Sequence, residues 1–181
     1  MALPSKLFRF KIELSDVPKE CYQSLDFRVA QHPSESLPYL LTRVFAYTLN
    51  FQDGIEFSAG GLSDPDQPCL RVVTAGGDLR VWIEIGNPSA RKIHKASKAS
   101  KASPQLKIYT YKDPLVLLKE MESETIHRKS EIQIYSISAS FLDRLSTQLK
   151  KENRWTLIVM EDQVMINSEE ITEGFQLKRH Q

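Results

Sequence analysis

The stretch Leu79-Arg80-Val81-Trp82-Ile83-Glu84-Ile85-Gly86-Asn87-Pro88 decides how this chain is read. Seven residues of apolar, β-favouring character carry one carboxylate, and Gly-Asn-Pro then breaks the run before a lysine-rich segment expected to be helical from Pro88 to Ala102. Glu84 stands among Trp82, Ile83 and Ile85. A charge in such surroundings is costly unless a cation, a proton or a hydrogen-bond donor offsets it. Candidate partners lie on both sides, with Asp64-Pro65-Asp66 upstream and Lys95, Lys98 and Lys101 downstream.

Working outward, charge is segregated in a way that the formal net charge of +1 conceals. Residues 44–70 hold four carboxylates and no lysine or arginine, whereas residues 85–112 hold seven basic residues and no acid. Hard oxygen ligands for Mg²⁺ beside cations that neutralise a polyanion are what a metal-dependent phosphodiesterase needs. The structural alternative is that both runs are solvated loops and faces. The near-neutral total argues against a strong general polyanion binder and leaves local attraction only.

The strand at Leu79 to Ile85 closes an antiparallel meander with strands near Ile55 to Ala59 and Cys69 to Thr74; Ala75-Gly76-Gly77-Asp78 turns between the last two. Before it, Lys6 to Leu14 and Tyr22 to Ala30 alternate apolar and polar residues and form an N-terminal hairpin. A helix then carries Leu37, Leu40, Leu41, Val44 and Phe45 on one face. Its Pro38 fits best at the second helical position with Ser36 as cap. After the basic helix come a strand at Leu106 to Tyr111, a helix opening at Asp113-Pro114 and a strand at Glu131 to Ile137. A helix from Ser138 to Lys151 and a C-terminal hairpin of Trp155 to Met160 with Val164 to Asn167 complete the order. The expected class is α/β, a mixed central sheet flanked by helices, in one domain over 1–181.

The chain of 181 residues is 41% hydrophobic and 26% charged, ordinary for one globular core. No apolar run approaches the roughly 20 residues of a membrane span, and the start lacks a secretion pattern, so the expected location is cytoplasmic with no membrane partner. Cys21 and Cys69 stand in no zinc-like spacing with the four histidines, and a buried structural thiol is the expectation for Cys69. Lys95, Lys98 and Lys101 recur in Lys-Ala-Ser triplets and cover roughly 120° of a helix. Nucleotide-binding glycine loops and the serine-hydrolase elbow are absent from the sequence.

Three groups of residues, His32-Pro33-Ser34-Glu35 before a helix, Gly61-Leu62 leading to Asp66-Gln67-Pro68, and Trp82-Ile83-Glu84-Ile85-Gly86-Asn87-Pro88 followed by Arg91, Ile93 and Lys95-Ala96, resemble the bacterial YaeQ family. That family is similar in fold to the PD-(D/E)XK, restriction-endonuclease-like nucleases. The resemblance implies a nuclease-type core with N-terminal and C-terminal hairpins, and fold alone does not establish a reaction. Carried over by position, Asp66 is the first acid, Glu84 the second and Glu35 the helical glutamate of some branches. One position departs: Gly86 stands where the motif wants lysine, and Lys95 of the following helix is the expected replacement.

The site implied is a Mg²⁺ or Mn²⁺ held by Asp66 and Glu84 with Glu35 as outer ligand, Lys95 orienting a water, and Ser34, Arg91 and Lys98 on a substrate phosphate. The implied partner is nucleic acid, DNA or RNA. Each residue has a duller alternative. Asp66 caps a turn; Glu84 pairs with Lys95 or Arg91 without metal; Glu35 is a favourable charge at a helix start; Trp82 is core. The functional alternative is a catalytically silent nucleic-acid-binding or protein-interaction module on the same fold.

Overall fold

The structure is a computed structural model that describes residues 6–58, 64, 66–99 and 104–181. In chain order the elements are β1 (Lys6–Asp16), β2 (Cys21–Gln31), α1 (Leu37–Leu49), β3 (Ile55–Phe57), β4 (Leu70–Val73), β5 (Leu79–Ile85), α2 (Ala90–Ser97) and β6 (Gln105–Thr110). They continue as α3 (Pro114–Ser123), β7 (Gln133–Ser136), α4 (Ala139–Thr147), β8 (Glu152–Met160), β9 (Gln163–Asn167), β10 (Thr172–Gln176) and β11 (Lys178–Arg179). Contacts gather these elements into two compact units, residues 1–44 with 137–178 and residues 45–136 with 179–181. None of the helices among the described residues is long and apolar enough to cross a membrane.

The mixed α/β class is as expected, but the single central sheet is replaced by two mixed sheets. In the first unit the strand order is β10-β9-β8-β1-β2. Here the two expected hairpins join one another: β1 runs parallel to β8, Arg9 opposite Glu152 through Asp16 opposite Val159. Such pairing between distant segments leaves no trace in local periodicity. Along these strands Phe10, Ile12, Leu14, Leu25, Val29, Trp155, Leu157 and Val159 are buried while their neighbours alternate outward. In the same unit α4 sets Phe141 against Phe175, ring centroids 4.7 Å apart.

The second unit holds the order β11-β7-β6-β5-β4-β3. β3, β4 and β5 form the antiparallel meander, and β6 and β7 continue it in parallel. Trp82, Leu106, Ile108 and Ile134 on one face bury against Ala90, Ile93 and Ala96 of α2 and Leu117 and Met121 of α3. From Val81 to Ile85 every residue of β5 is buried, which explains why this strand reads as a continuous apolar run.

Two helix boundaries differ from the expectation. α2 ends at Ser97, where Lys98 N–H closes back on Lys95 O at 3.1 Å, short of the expected Ala102; residues 100–103, Lys101 among them, lie outside the described residues. α4 stops at Thr147 because Ser146 and Thr147 turn their hydroxyls onto Leu142 O and Arg144 O, both at 2.7 Å, and Asn153 Oδ1 accepts from Lys150 N–H at 3.0 Å in the turn into β8. At α1, Ser36 Oγ accepts from Tyr39 N–H at 3.3 Å, the cap that places Pro38 at the second helical position.

Candidate functional site

β5 delivers Glu84 into the second unit's core with its side chain on the same face as Trp82. The carboxylate is 1% exposed, and both oxygens are engaged. Trp82 Nε1–H donates to Oε1 at 2.6 Å; Lys92 Nζ donates to Oε2 at 2.9 Å, with Cys69 Sγ 3.5 Å from the same oxygen. Burial pushes the Glu84 carboxyl above its ordinary value, and the Lys92 charge with the three hydrogen bonds opposes that rise. An uncompensated charge here would be untenable, so the side chain 23% exposed that answers it, Lys92, is integral to the site.

The orientation of α2 follows from its ends and its apolar stripe. Ser89 Oγ accepts from Lys92 N–H at 3.3 Å, and Glu120 of α3 accepts from Ala90 N–H at 3.0 Å. Ala90, Ile93 and Ala96 bury against the sheet. At about 100° per residue, Lys92 lies about 100° from Ile93, whereas Arg91, Lys95 and Lys98 cluster about 140–160° from it. The helix therefore has one lysine at the edge of the core and a separate outer basic row.

Gly86 has φ +79°, a conformation that side-chain-bearing residues rarely adopt. Its N–H donates to Tyr109 O at 2.8 Å, tying the bend to β6. A lysine two residues after Glu84 would be strained there, which is a physical reason for the amine to come from α2. The expected replacement was Lys95; the ammonium that reaches Glu84 is that of Lys92.

Lys95 instead meets Asp66, Nζ to Oδ1 at 2.5 Å, with the two side chains 56% and 61% exposed. Asp66 belongs to the turn before β4, where its N–H donates to Asp64 Oδ1 at 2.8 Å. Around this pair lies a groove of about 810 Å³ whose lining includes Asp66, Arg71, Arg91, His94, Lys95 and Lys98. Arg71 is held by Glu56 at 2.6 Å, while among the described residues Arg91 and Lys98 close no ion pair. The groove rim is net positive.

Ser34 and Glu35 lie in the first unit. Glu35 is 6% exposed and accepts from Arg43 Nη1 at 2.8 and 3.0 Å and from His32 N–H at 3.0 Å. These contacts give it a structural role at the entry to α1. Ser34 Oγ shares a 2.7 Å hydrogen bond with His32 Nδ1 in the same exposed turn.

For a divalent metal the donor set is limited but of the right kind. Among the described residues no three His, Cys, Asp or Glu side chains are grouped for a metal ion. Mg²⁺ needs only one or two carboxylates beside its waters, and Asp66 and Glu84 supply hard oxygens on partners one helical turn apart in α2. In the structure those oxygens are neutralised by ammonium groups. Lys92 is the residue that sequence reasoning missed; the signal available was the apolar stripe of α2, which separates Lys92 from the outer row.

Comparison with known proteins places the chain. A family model described as YaeQ protein matches residues 1–176. The chain is similar to the uncharacterized protein YaeQ of Escherichia coli (strain K12), 28% identical over 113 residues that cover 61% of this chain and 59% of that protein. The YaeQ of Salmonella typhi is 32% identical over 98 residues, covering 53% and 52%. The chain thus spans a little over half the length of the relatives it matches. Among solved structures, a YaeQ protein from Pseudomonas syringae superposes with TM-score 0.87 at 22% identity, covering 99% of this chain and 98% of that one. One from Xanthomonas axonopodis pv. citri gives 0.86 at 22% identity, covering 98% of each. At that identity the likeness is one of fold.

Proposed function

Because the chain belongs to the YaeQ family, we propose that it acts as a metal-dependent nuclease or related phosphodiester hydrolase on a restriction-endonuclease-like core, its motif lysine supplied by α2. The observation that carries this reading is the pairing of Glu84 with Lys92 and of Asp66 with Lys95, two lysines one turn apart on one helix. That arrangement draws both acids to one stretch of α2 beside a groove with a basic rim.

Mg²⁺ or Mn²⁺ held by Asp66 and Glu84 would polarise a phosphoryl oxygen and make a bound water more acidic. This chain's own residues do the rest. Arg91 and Lys98 attract and position the phosphodiester, lysines being point charges for phosphate and arginine a planar fork. Lys95 balances charge at Asp66. Lys92 opposes the rise that burial imposes on the Glu84 carboxyl and so favours its ionised form, the form that serves as a ligand.

A second reading, a catalytically silent nucleic-acid-binding module, is favoured by one specific observation: both Glu84 oxygens are already satisfied within the protein. One experiment separates the two. Thermal unfolding in EDTA and in millimolar Mn²⁺ is compared for wild type, Asp66→Asn and Glu84→Gln, alongside cleavage of labelled oligonucleotides. The nuclease reading expects Mn²⁺ to raise the wild-type Tm, to do so less for either variant, and cleavage to require all three of Asp66, Glu84 and Lys92. Superimposed scans for the wild type, with oligonucleotide binding that falls steeply with salt and is lost in Arg91→Ala/Lys98→Ala, would establish the silent module instead.

A further inference from the structure

The first unit ends in an eleven-residue strand, β2, at the edge of its sheet. Its pairing with β1 is continuous from Cys21 opposite Asp16 to Gln31 opposite Lys6. Natural sheets blunt their edges with prolines, bulges, short strands, charged side chains or a covering helix. Cys21–Gln31 contains no proline or glycine, and its register shows no shift.

Which backbone groups β2 leaves open follows from the strand on the other side of β1. Arg9 N–H donates to Lys151 O at 2.9 Å, and Val17 N–H to Val159 O at 3.0 Å, so the odd-numbered residues of β1 turn their backbone groups toward β8. The even-numbered ones, Phe8, Phe10, Ile12 and Leu14, therefore turn toward β2 and meet Val29, Phe27, Leu25 and Gln23. That leaves the N–H and C=O groups of Tyr22, Ser24, Asp26, Arg28 and Ala30 directed outward. The Ala30 carbonyl points the same way but is not open, since it accepts from Arg43 Nη1 of α1 at 3.3 Å.

The side chains carry a second asymmetry. Arg28 sits directly opposite Arg9 on the exposed face, and like charges so placed are unfavourable. Arg9 is neutralised by two hydrogen bonds to Asp26, at 2.8 and 2.6 Å. Among the described residues Arg28 closes no ion pair within 4 Å, although its charge acts on Asp26 two residues away in the same strand.

We propose that β2 is a self-association edge: two copies of this chain pair their β2 strands antiparallel about a two-fold axis at Phe27, joining two five-stranded sheets into one. In this register Asp26 of one copy faces Arg28 of the other, twice by symmetry, and Ser24 faces Ala30. All four residues direct their backbone groups outward, as hydrogen-bonded antiparallel pairs require, and the Ala30 carbonyl exchanges its Arg43 contact for Ser24 N–H. Leu25 meets Val29 on the core face. Shifting the axis to Asp26 would set the two Asp26 carboxylates against each other and leave Arg28 facing serine. Only the Phe27 axis gives each Arg28 an acid across the strand pair.

The test is sedimentation equilibrium of the full chain from about 1 µM to 1 mM. Wild type is expected to show a monomer–dimer equilibrium. Arg28→Glu and Asp26→Lys, both on the exposed face, should each weaken it roughly tenfold or more, and mixing the two variants should restore association because each then faces the opposite charge. Register is read independently with Phe27→Cys in a Cys21→Ser background, where oxidation should link residue 27 to its own copy. A wild type that stays monomeric throughout the range overturns the proposal. So does a dimer that both charge variants leave intact, or a mixture that associates no better than its components.

Discussion

Two carboxylate–lysine pairs sit a few residues apart on the same helix, and they differ in almost everything but composition. Glu84 and Lys92 are 1% and 23% exposed, at 2.9 Å, with Trp82 and Cys69 completing the shell. Asp66 and Lys95 are 61% and 56% exposed, at 2.5 Å. The closer pair is the weaker one for stability. Water and mobile ions screen Asp66 and Lys95 and leave them exchangeable; the core leaves Glu84 no alternative to its partner. An inner pair fixed by the fold beside an outer pair free to open suits a site in which one acid is anchored and the other meets solvent and ligand.

The sharpest way to break this comparison is to remove the inner cation. Lys92→Ala should destabilise the protein by about 2–4 kcal/mol at pH 7 in urea titrations, and adding Glu84→Gln should recover a large part of that loss. The pH dependence has a definite sign. Burial holds the Glu84 carboxyl above its unfolded value, so between the two values the native state binds more protons than the unfolded one. Its contribution is then fullest at low pH and declines as pH rises through the folded value. Without Lys92 the carboxyl rises further, and the gap between Lys92→Ala and wild type should narrow from pH 7 to about 5. A gap that widens on acidification would show that Glu84 is not the group responsible.

A smaller effect is expected at the bend that separates the acid from its lysine. Gly86→Lys puts the motif amine back at the position that resembles the nuclease pattern, but at φ +79°. We expect a loss of about 1–2 kcal/mol and no rescue of any activity lost in Lys92→Ala. Rescue would mean that the strand can carry the lysine itself and that the turn does not dictate its migration.

The smallest effect belongs to the outer pair. Lys95→Ala should change stability by less than about 0.5 kcal/mol, a difference that disappears at roughly 0.5 M salt. Oligonucleotide affinity should respond more than stability does, and calorimetry against urea titration on the same variant separates the two. A stability loss comparable to that of Lys92→Ala would erase the distinction between inner and outer pair.

Much of the fold was legible in the amino-acid order. Period-two alternation marked β1 and β2, and the apolar run at residues 79–85 marked a strand. Ser36 and Asp113 announced two helix starts through cap chemistry, and Glu84 announced itself as a charge needing a partner. All of these are local properties, carried by a few consecutive side chains and the backbone's two periods. The identity of that partner was not local. Arg91, Lys92, Lys95 and Lys98 are alike in composition, and which of them reaches Glu84 depends on the rotation of α2, set by Ala90, Ile93 and Ala96 against β6 and by Glu120 from α3. The parallel pairing of β1 with β8, which turns two expected ornaments of one sheet into a sheet of their own, likewise depends on hydrogen bonds between segments more than a hundred residues apart. Sequence alone determined which elements form and which charges must be answered; tertiary structure decided which strands meet and which lysine answers, because those choices rest on contacts between distant segments that no local pattern encodes.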